Sequence, residues 1–131
     1  MKVLQFAFDS REESDYLPHN YDHNCVVYTG THDNDTTLGW YREQPEIIKD
    51  RIRRYGNTDG NLISLDFIRF CFSSIAKYAI FPIQDLLMMG SDARMNTPGV
   101  AAANWNFRYV QEDLTKERQE WLLRTTQLYN R

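Results

Sequence analysis

Cysteine is scarce in this sequence, and the two cysteines, Cys25 and Cys71, stand far apart in apolar stretches. Neither belongs to a C-x-x-C pair or to a nucleophile signature with a nearby histidine, so packing accounts for both better than a disulfide or thiol catalysis does. We expect two buried free thiols without a disulfide, as in a cytosolic protein. The sequence therefore gives both cysteines a packing role.

Long hydrophobic runs and an excess of basic charge are also missing. No apolar stretch approaches the roughly 18 residues that suggest a membrane-spanning helix. Lysine and arginine number 15 against 18 aspartate and glutamate residues, which gives a formal net charge of -3. Such a chain has no dense basic face to attract a phosphate backbone. We therefore expect neither a membrane nor a nucleic acid as a partner.

What remains is the composition of an ordinary globular protein. A length of 131 residues with 42% hydrophobic residues allows one domain with its own core. No repeat, low-complexity tract or linker divides the chain, so residues 1–131 are expected to form a single unit. The apolar run at the start is too short and too mixed for a signal peptide, and it leads directly into a strand that looks buried.

Hydrophobic patterning predicts an α/β fold. Apolar or β-branched runs predict strands at 3–8, 25–29 and 79–83, with a polar loop at 9–15 after the first. Helical spacing predicts helices at 45–55, 62–78 and 115–129, a helical turn at 84–89, and a long ordered loop at 91–106. In the last helix, Trp121, Leu122 and Leu128 are expected on one apolar side. Strands that alternate with helices indicate parallel βα units.

The number of strands suggests that the unit is part of a larger fold. A complete (β/α)8 barrel takes about 250 residues and eight strands. Three predicted strands make neither a barrel nor a doubly wound sheet. We therefore expect this chain to be a segment of a larger α/β protein.

The segment 29–36 concentrates polar side chains directly after the second predicted strand. It contains His32, Asp33 and Asp35, together with an amide and several hydroxyls. Active sites of parallel α/β barrels are assembled at the C-terminal ends of their strands. The alternative is an ordinary polar turn, because Asp, Asn, Gly and Thr are all favoured in turns.

A metal site is the second interpretation, with imidazole and carboxylate ligands from His19, His23, His32, Asp22, Asp33 and Asp35. His19 and His23 are four residues apart, as on one face of a helix, but the adjacent Pro18 makes a helix improbable there. No Glu follows His19 as in a zinc-protease motif. We expect no metal in this chain.

A third polar region covers residues 90–99 and continues to Asn104 and Trp105. Its many donors and acceptors could position a polyhydroxylated ligand, and Trp105 offers an apolar face for a sugar ring. The alternative is a loop satisfied by its own contacts, in which Arg94 pairs with a carboxylate and Trp105 plugs the end of a barrel. The residues alone leave both interpretations open.

Five sequence runs together resemble the amylomaltase, or disproportionating-enzyme, family of 4-alpha-glucanotransferases in the alpha-amylase clan. They follow the order of that family along nearly the whole chain: Val-Leu-Gln-Phe-Ala-Phe at 3–8, Leu-Pro-His-Asn-Tyr at 17–21, Val-Tyr-Thr-Gly-Thr-His-Asp-Asn-Asp-Thr at 27–36, Gln-Asp-Leu-Leu at 84–87, and Arg-Met-Asn-Thr-Pro-Gly at 94–99. The resemblance implies the C-terminal portion of a (β/α)8 TIM barrel, comprising about the last three strands and the closing helices.

The same resemblance implies a retaining transfer of alpha-1,4-glucan segments between maltooligosaccharides, without a cofactor. Asp33 matches the third catalytic carboxylate of the family, which stabilises the transition state, and His32 matches its sugar-binding neighbour. Asn104 and Trp105 are expected to line sugar subsites, and His19 and Asn20 are further substrate-binding candidates.

The nucleophile aspartate and the acid/base glutamate of the family are expected upstream of Met1, in the missing N-terminal part of the barrel. We therefore expect the isolated chain to be inactive and only marginally folded. The competing hypothesis is a non-catalytic module that binds a glucan or a protein partner through the same polar rim.

Overall fold

A three-stranded parallel sheet forms the centre of the fold. The computed structural model describes residues 1–9 and 14–131. The strands are β1 (Lys2–Val3), β2 (Val26–Tyr28) and β3 (Tyr78–Ile80), in the order β1-β2-β3. Lys2 pairs with Val27, and Val26 pairs with Tyr78. The predicted parallel α/β arrangement is confirmed, while residues 10–13 of the predicted loop at 9–15 lie outside the described residues.

Within residues 1–9 and 14–131, five α-helices accompany the strands: α1 (Thr37–Arg42), α2 (Glu46–Gly56), α3 (Ile63–Ser73), α4 (Ile83–Leu86) and α5 (Lys116–Leu128). Short 3-10 helices occupy Leu4–Phe6, Pro18–Asn20, Ser91–Ala93 and Gln111–Asp113. The helices predicted at 45–55 and 115–129 and the turn at 84–89 correspond to α2, α5 and α4, and α1 was not predicted. Among the described residues, no helix is long and apolar enough to cross a membrane.

The first strand is much shorter than predicted. Residues 3–8 were expected to form one strand, but pairing ends at Val3 and the chain turns into the 3-10 helix Leu4–Phe6. The turn places Gln5 in contact with the segment that follows β2. Its backbone N–H still reaches Thr29 O at 3.2 Å, while its buried side chain donates to the Asp35 carbonyl at 3.0 Å. The polar residue inside the apolar run thus has its own buried partners.

Helix α3 is buried on nearly all sides and separates two apolar clusters. Ile63, Phe67 and Phe70 belong to the first, which also contains Leu4, Phe8 and Val27. Leu65, Ile68 and Phe72 belong to the second, together with Leu86. A helix that is apolar all round is expected in the interior of a fold.

Helix α3 ends earlier than the predicted boundary at residue 78. Ser74 has an extended backbone with ψ of 164°, and its hydroxyl donates to Cys71 O at 2.7 Å. The chain then needs only a few residues to reach Tyr78, where β3 begins. Leu62 and Ile75, two apolar residues of the predicted helix 62–78, lie outside α3 and are 52% and 58% exposed.

Both cysteines are free thiols, and the predicted burial is confirmed for Cys71 but not for Cys25. Cys71 lies in the first apolar cluster and is fully buried, whereas Cys25 is half-buried at its edge. Burial raises the pKa of the Cys71 thiol above its ordinary value. This thiol therefore stays protonated and inert at neutral pH.

Helix α5 covers the second cluster from the outside. The Thr115 hydroxyl accepts from the backbone N–H of Arg118 at 3.2 Å and caps the first turn. Trp121 and Leu122 pack on the second cluster, as predicted. Leu128 is 71% exposed, so its assignment to the same apolar side is wrong. Tyr129, the next residue, packs on the second cluster instead.

The guanidinium of Arg131 fastens α5 to the end of α3. It donates to Phe72 O at 2.9 Å, Ser74 O at 2.9 Å and Ala76 O at 2.8 Å. The last carbonyls of a helix have no partner within the helix, so a cationic donor there is stabilising.

We predict that Arg131→Ala lowers the free energy of unfolding by about 1–3 kcal/mol, because the carbonyls lose a charged hydrogen-bond donor. Arg131→Lys should recover part of this loss, since an ammonium keeps the charge but not the planar fork. Arg124→Ala, at an exposed position of α5, is the matched control. Thermal melts of the three variants measure the effect, and equal midpoints for Arg131→Ala and Arg124→Ala would contradict it.

Candidate active site

The candidate site begins where β2 ends. Residues 30–36, here called the β2–α1 loop, connect β2 to the first turn of α1. Asn34 Oδ1 accepts from the backbone N–H of Thr31 at 2.7 Å and from the Thr31 hydroxyl at 2.9 Å. These contacts close the loop on itself as a polar turn. The turn interpretation and the site interpretation of this segment are thus compatible.

Asp33 lies at the tip of this loop with its side chain 49% exposed. Its Oδ1 accepts from Asn96 Nδ2 at 2.7 Å, and His32 Nε2 lies 3.4 Å from the same oxygen. Both contacts involve Oδ1, and Oδ2 takes part in neither. The carboxylate is therefore held on one side and presents its other oxygen to the surroundings.

Arg94 joins the third polar region to the β2–α1 loop. Its Nη2 donates to the Asp33 carbonyl at 2.6 Å, and its Nε donates to the Asn96 carbonyl at 2.9 Å. The contacts described for Arg94 are thus with backbone oxygens, not with the carboxylate that a self-satisfied loop was expected to supply. The two regions that the sequence singled out separately meet at Asp33.

Trp105 packs on His32. The two ring centroids are 5.2 Å apart with an interplanar angle of 36°. Trp105 has a φ of 63°, an uncommon conformation for a bulky residue. Its backbone N–H donates to the Met95 carbonyl at 2.7 Å. With 55% of its surface exposed in this chain, Trp105 offers an open ring edge and face beside His32.

Asn104 shapes the loop that carries Trp105. Its Oδ1 accepts from the Thr97 N–H at 3.0 Å, and its Nδ2 donates to Val100 O at 2.7 Å. The amide is thus engaged by its own loop, as the alternative interpretation of this region required. In this structure its action on a ligand would be indirect, through the position of Trp105.

Two pockets flank the loop tip. A small one of about 130 Å³ is lined by His32, Arg94, Met95 and Trp105, among others. A larger one of about 400 Å³ lies between the strand ends and contains Asp33 with Tyr28 and Ile80. His32 lines both pockets. A volume of several hundred Å³ lies in the usual range for small-molecule sites.

His19 and Asn20 are placed in a different environment from Asp33. His19 Nδ1 lies 3.0 Å from the Tyr55 hydroxyl of α2. Asn20 Nδ2 donates to Ser14 O at 3.0 Å. The contacts described for these two residues join the segment before β2 to α2 and to itself, and they do not bring either residue into the group around Asp33.

Metal-ligating side chains are dispersed in the described ranges 1–9 and 14–131. No three His, Cys, Asp or Glu residues there are grouped so as to hold a metal ion. His23, for example, contacts the Ile75 carbonyl at 2.8 Å through Nδ1.

Asp85 is a buried carboxylate beneath the site to which the sequence assigned no role. It is fully buried on α4. Its Oδ2 accepts from the hydroxyls of Thr29 at 2.6 Å and Thr37 at 2.7 Å, and its Oδ1 accepts from the Thr37 N–H at 2.8 Å. Desolvation raises the pKa of the Asp85 carboxyl, and the hydrogen bonds from both threonines oppose that rise.

A second carboxylate, Asp35, fastens the loop to the third polar region. Its Oδ2 accepts from the Ser91 hydroxyl at 2.6 Å, and its Oδ1 accepts from the Thr36 N–H at 2.7 Å. Gly39 of α1 lies directly beside this contact. A Cβ at Gly39 would stand 2.7 Å and 2.9 Å from the two Asp35 carboxylate oxygens, closer than packed atoms tolerate.

We predict that Gly39→Ala destabilises the protein by about 1–3 kcal/mol, the usual cost of overpacking. In a helix without a close neighbour the same change would be stabilising. Gly90→Ala is the control, because a Cβ there meets only the flexible Arg42 guanidinium at 3.3 Å. Thermal melts measure the effect. A Gly39→Ala midpoint at or above that of the parent would contradict the close approach of Gly39 to the Asp35 carboxylate.

Comparison with known proteins gives the same family from sequence and from structure. The family described as 4-alpha-glucanotransferase matches residues 1–114. A 4-alpha-glucanotransferase of Synechocystis is 49% identical over 133 residues, covering 100% of this chain and 26% of the relative. The chloroplastic/amyloplastic 4-alpha-glucanotransferase of Solanum tuberosum is 49% identical over 109 residues, covering 82% of this chain and 19% of the relative.

A solved structure agrees with the sequence relatives. Amylomaltase from Streptococcus agalactiae in complex with acarbose superposes with a TM-score of 0.95 at 35% identity, covering 100% of this chain and 27% of that protein. The chain thus spans about a quarter of the length of the Synechocystis and Streptococcus relatives. Because the family match extends over most of the chain, this protein belongs to the 4-alpha-glucanotransferase family.

Proposed function

We propose that this chain supplies part of the catalytic barrel of a 4-alpha-glucanotransferase that transfers alpha-1,4-glucan segments between maltooligosaccharides. The family membership supports the activity. The acarbose bound by the Streptococcus agalactiae amylomaltase supports an oligosaccharide-type ligand. In that barrel, the chain forms the C-terminal portion of a (β/α)8 fold, comprising the last three strands and the closing helices.

The observation that carries the proposal is the position of Asp33 at the end of a parallel strand. Its half-exposed carboxylate is held through Oδ1 by Asn96, and it borders the larger pocket. A carboxylate fixed on one side can accept hydrogen bonds from sugar hydroxyls on the other. If those bonds tighten as the sugar ring flattens, they stabilise the transition state more than the bound substrate and so raise the rate.

The reaction is a double displacement. A carboxylate nucleophile attacks the anomeric carbon while a carboxylic acid protonates the leaving glycosidic oxygen, which gives a covalent glycosyl-enzyme. The 4-hydroxyl of an acceptor sugar then attacks the same carbon, the bond to the nucleophile breaks and frees its carboxylate, and the hydroxyl proton passes to the conjugate base of the acid. The nucleophile and the acid/base belong to the part of the barrel that this chain does not contain, and Asp33 acts as the third carboxylate.

His32 and Trp105 are proposed to bind the sugar next to Asp33, because both rings line the small pocket. Asn104 contributes by shaping the loop that carries Trp105. For His19 and Asn20 a substrate-binding role depends on the family motif alone, since their described contacts are with Tyr55 and Ser14. They are proposed as substrate-binding residues on that motif.

The exposed apolar side chains fit a chain that packs against more of the same barrel. Met1, Tyr78 and Ile80 are 74%, 56% and 46% exposed around the sheet. Apolar surface of this kind marks an interface or an aggregation liability. The free thiols of Cys25 and Cys71 fit the cytosolic location that the sequence predicted, although some plant relatives are named as chloroplastic/amyloplastic proteins.

A chimera tests the activity directly: residues 1–131 replace the matching segment of the Synechocystis relative, and maltotriose disproportionation is measured. We expect an active parent chimera. Asp33→Asn should keep the fold and lower kcat by about 10²–10³, as when one transition-state contact is removed. Asp22→Asn, at an exposed carboxylate outside the site, is the matched control. Near-normal turnover of Asp33→Asn at equal thermal stability would remove Asp33 from the catalytic set.

Trp105→Ala in the same chimera should weaken oligosaccharide binding by about 1–2 kcal/mol, the size of a lost aromatic contact. Because the ring contact described for Trp105 is with His32 of the site, the melting temperature should change little. Calorimetric titration with acarbose and a thermal melt separate the two roles. A lower melting temperature with unchanged affinity would show that Trp105 is a structural plug.

The chain expressed alone should neither release glucose from maltotriose nor transfer glucan. A retaining mechanism needs two carboxylates about 5–5.5 Å apart across the scissile bond, and only the third carboxylate is proposed here. We also expect aggregation or a loose compact state, because β1 would lack a neighbour on its outer edge. Glucose release, near-ultraviolet dichroism and a thermal melt check this. A cooperative monomeric melt with measurable turnover would contradict it.

A further inference from the structure

We propose that Asp85 is a positioning residue that fixes the β2–α1 loop, and with it Asp33, from beneath the site. The inference deepens the proposed function and rests on it. Asp85 touches neither pocket and is fully buried. Its action on the reaction must therefore pass through the residues that it holds.

The carboxylate of Asp85 holds both ends of the loop at once. Thr29 is the residue before the loop, and Thr37 is the residue after it. Asp85 Oδ2 accepts from both hydroxyls, at 2.6 Å and 2.7 Å, and Oδ1 accepts from the Thr37 N–H at 2.8 Å. A single side chain thus sets the distance between the end of β2 and the start of α1.

Burial makes this arrangement rigid. Asp85, Thr29 and Thr37 are each 0% exposed, so water does not compete for these hydrogen bonds. Removing the acceptor would leave buried donors unsatisfied, which costs more than the bond itself.

The neighbouring residue, Gln84, holds the segment that contacts Asp33 from the other side. Its Nε2 donates to the Ala93 carbonyl at 3.1 Å, also in a buried position. Ala93 ends the 3-10 helix that leads directly into Arg94 and Asn96. Two consecutive residues of α4 therefore anchor the two segments that meet in the 2.7 Å contact between Asn96 and Asp33.

The geometry points to an effect on the chemical step. A misplacement of about 1 Å by a mutation far from the chemistry can cost 10²-fold in rate. If Asp33 acts mainly in the transition state, loosening its loop should lower kcat more than it raises KM. A residue that only stabilised the fold would change neither constant at a temperature where every variant is folded.

The experiment uses the full-length chimera described above and measures kcat and KM for maltotriose below the melting transition. Asp85→Asn keeps the size but replaces one acceptor oxygen by a donor. We expect a loss of about 10²-fold in kcat with KM nearly unchanged. Asp66→Asn is the matched control, because Asp66 is also buried, accepts from a threonine hydroxyl (Thr58, 2.6 Å) and lies on α3, away from the loop. Its kcat should equal that of the parent.

A second pair of variants keeps the test decisive if Asp85→Asn fails to fold. Thr37→Val removes the hydroxyl that donates to Asp85, and Thr37→Ser retains it. We expect a lower kcat for Thr37→Val and recovery in Thr37→Ser. Equal kcat values for these two variants would overturn the proposal.

The outcomes separate this inference from the proposed function. A folded parent chimera without transferase activity overturns the proposed function, and the inference falls with it. An active parent whose Asp85→Asn variant keeps its kcat overturns the inference alone, since Asp85 would then be only a structural residue. Loss of kcat in Asp66→Asn as well would also overturn it, because the effect would belong to any buried carboxylate.

Discussion

Parallel pairing of β2 with both of its neighbours is the constraint from which the rest of the structure follows. Parallel strands end at the same edge of a sheet, and their connections must cross back over one face. The segments after β1, β2 and β3 therefore start side by side, although they are far apart in the chain. Leu4, Thr29 and Phe81 are the first residues after these three strands. The β2–α1 loop and the third polar region therefore meet at this edge, where Arg94 and Asn96 contact Asp33.

The edge of the sheet at which the three strands end has two layers of polar residues. The upper layer is half-exposed and contains Asp33, His32 and Trp105, which face the pockets. The lower layer is buried and contains Asp85 with its two threonines. The division is physical: a buried carboxylate is tolerated only with hydrogen-bond donors around it, whereas an exposed one can exchange water for a ligand.

Sequence reasoning located the strands and the upper layer because their signals are local. Apolar runs marked the strands, and the dense polar segment after β2 marked Asp33. Helix α1 escaped prediction because it has only six residues and contains Gly39, a poor helix former. Asp85 carried no local signal, since its partners lie 48 and 56 residues away. Only the folded sheet brings them together.

Helix α3 has a consequence for how this sequence can diverge. Of its 11 residues, nine are buried, between one apolar cluster on each side. A change of side-chain volume at most of these positions disturbs one of two apolar clusters, and protein cores are packed as densely as crystals. Arg69 and Ser73 are the two exposed positions. Substitutions at these two positions should therefore be tolerated best, whereas a change of volume at a buried position requires compensating changes in its neighbours.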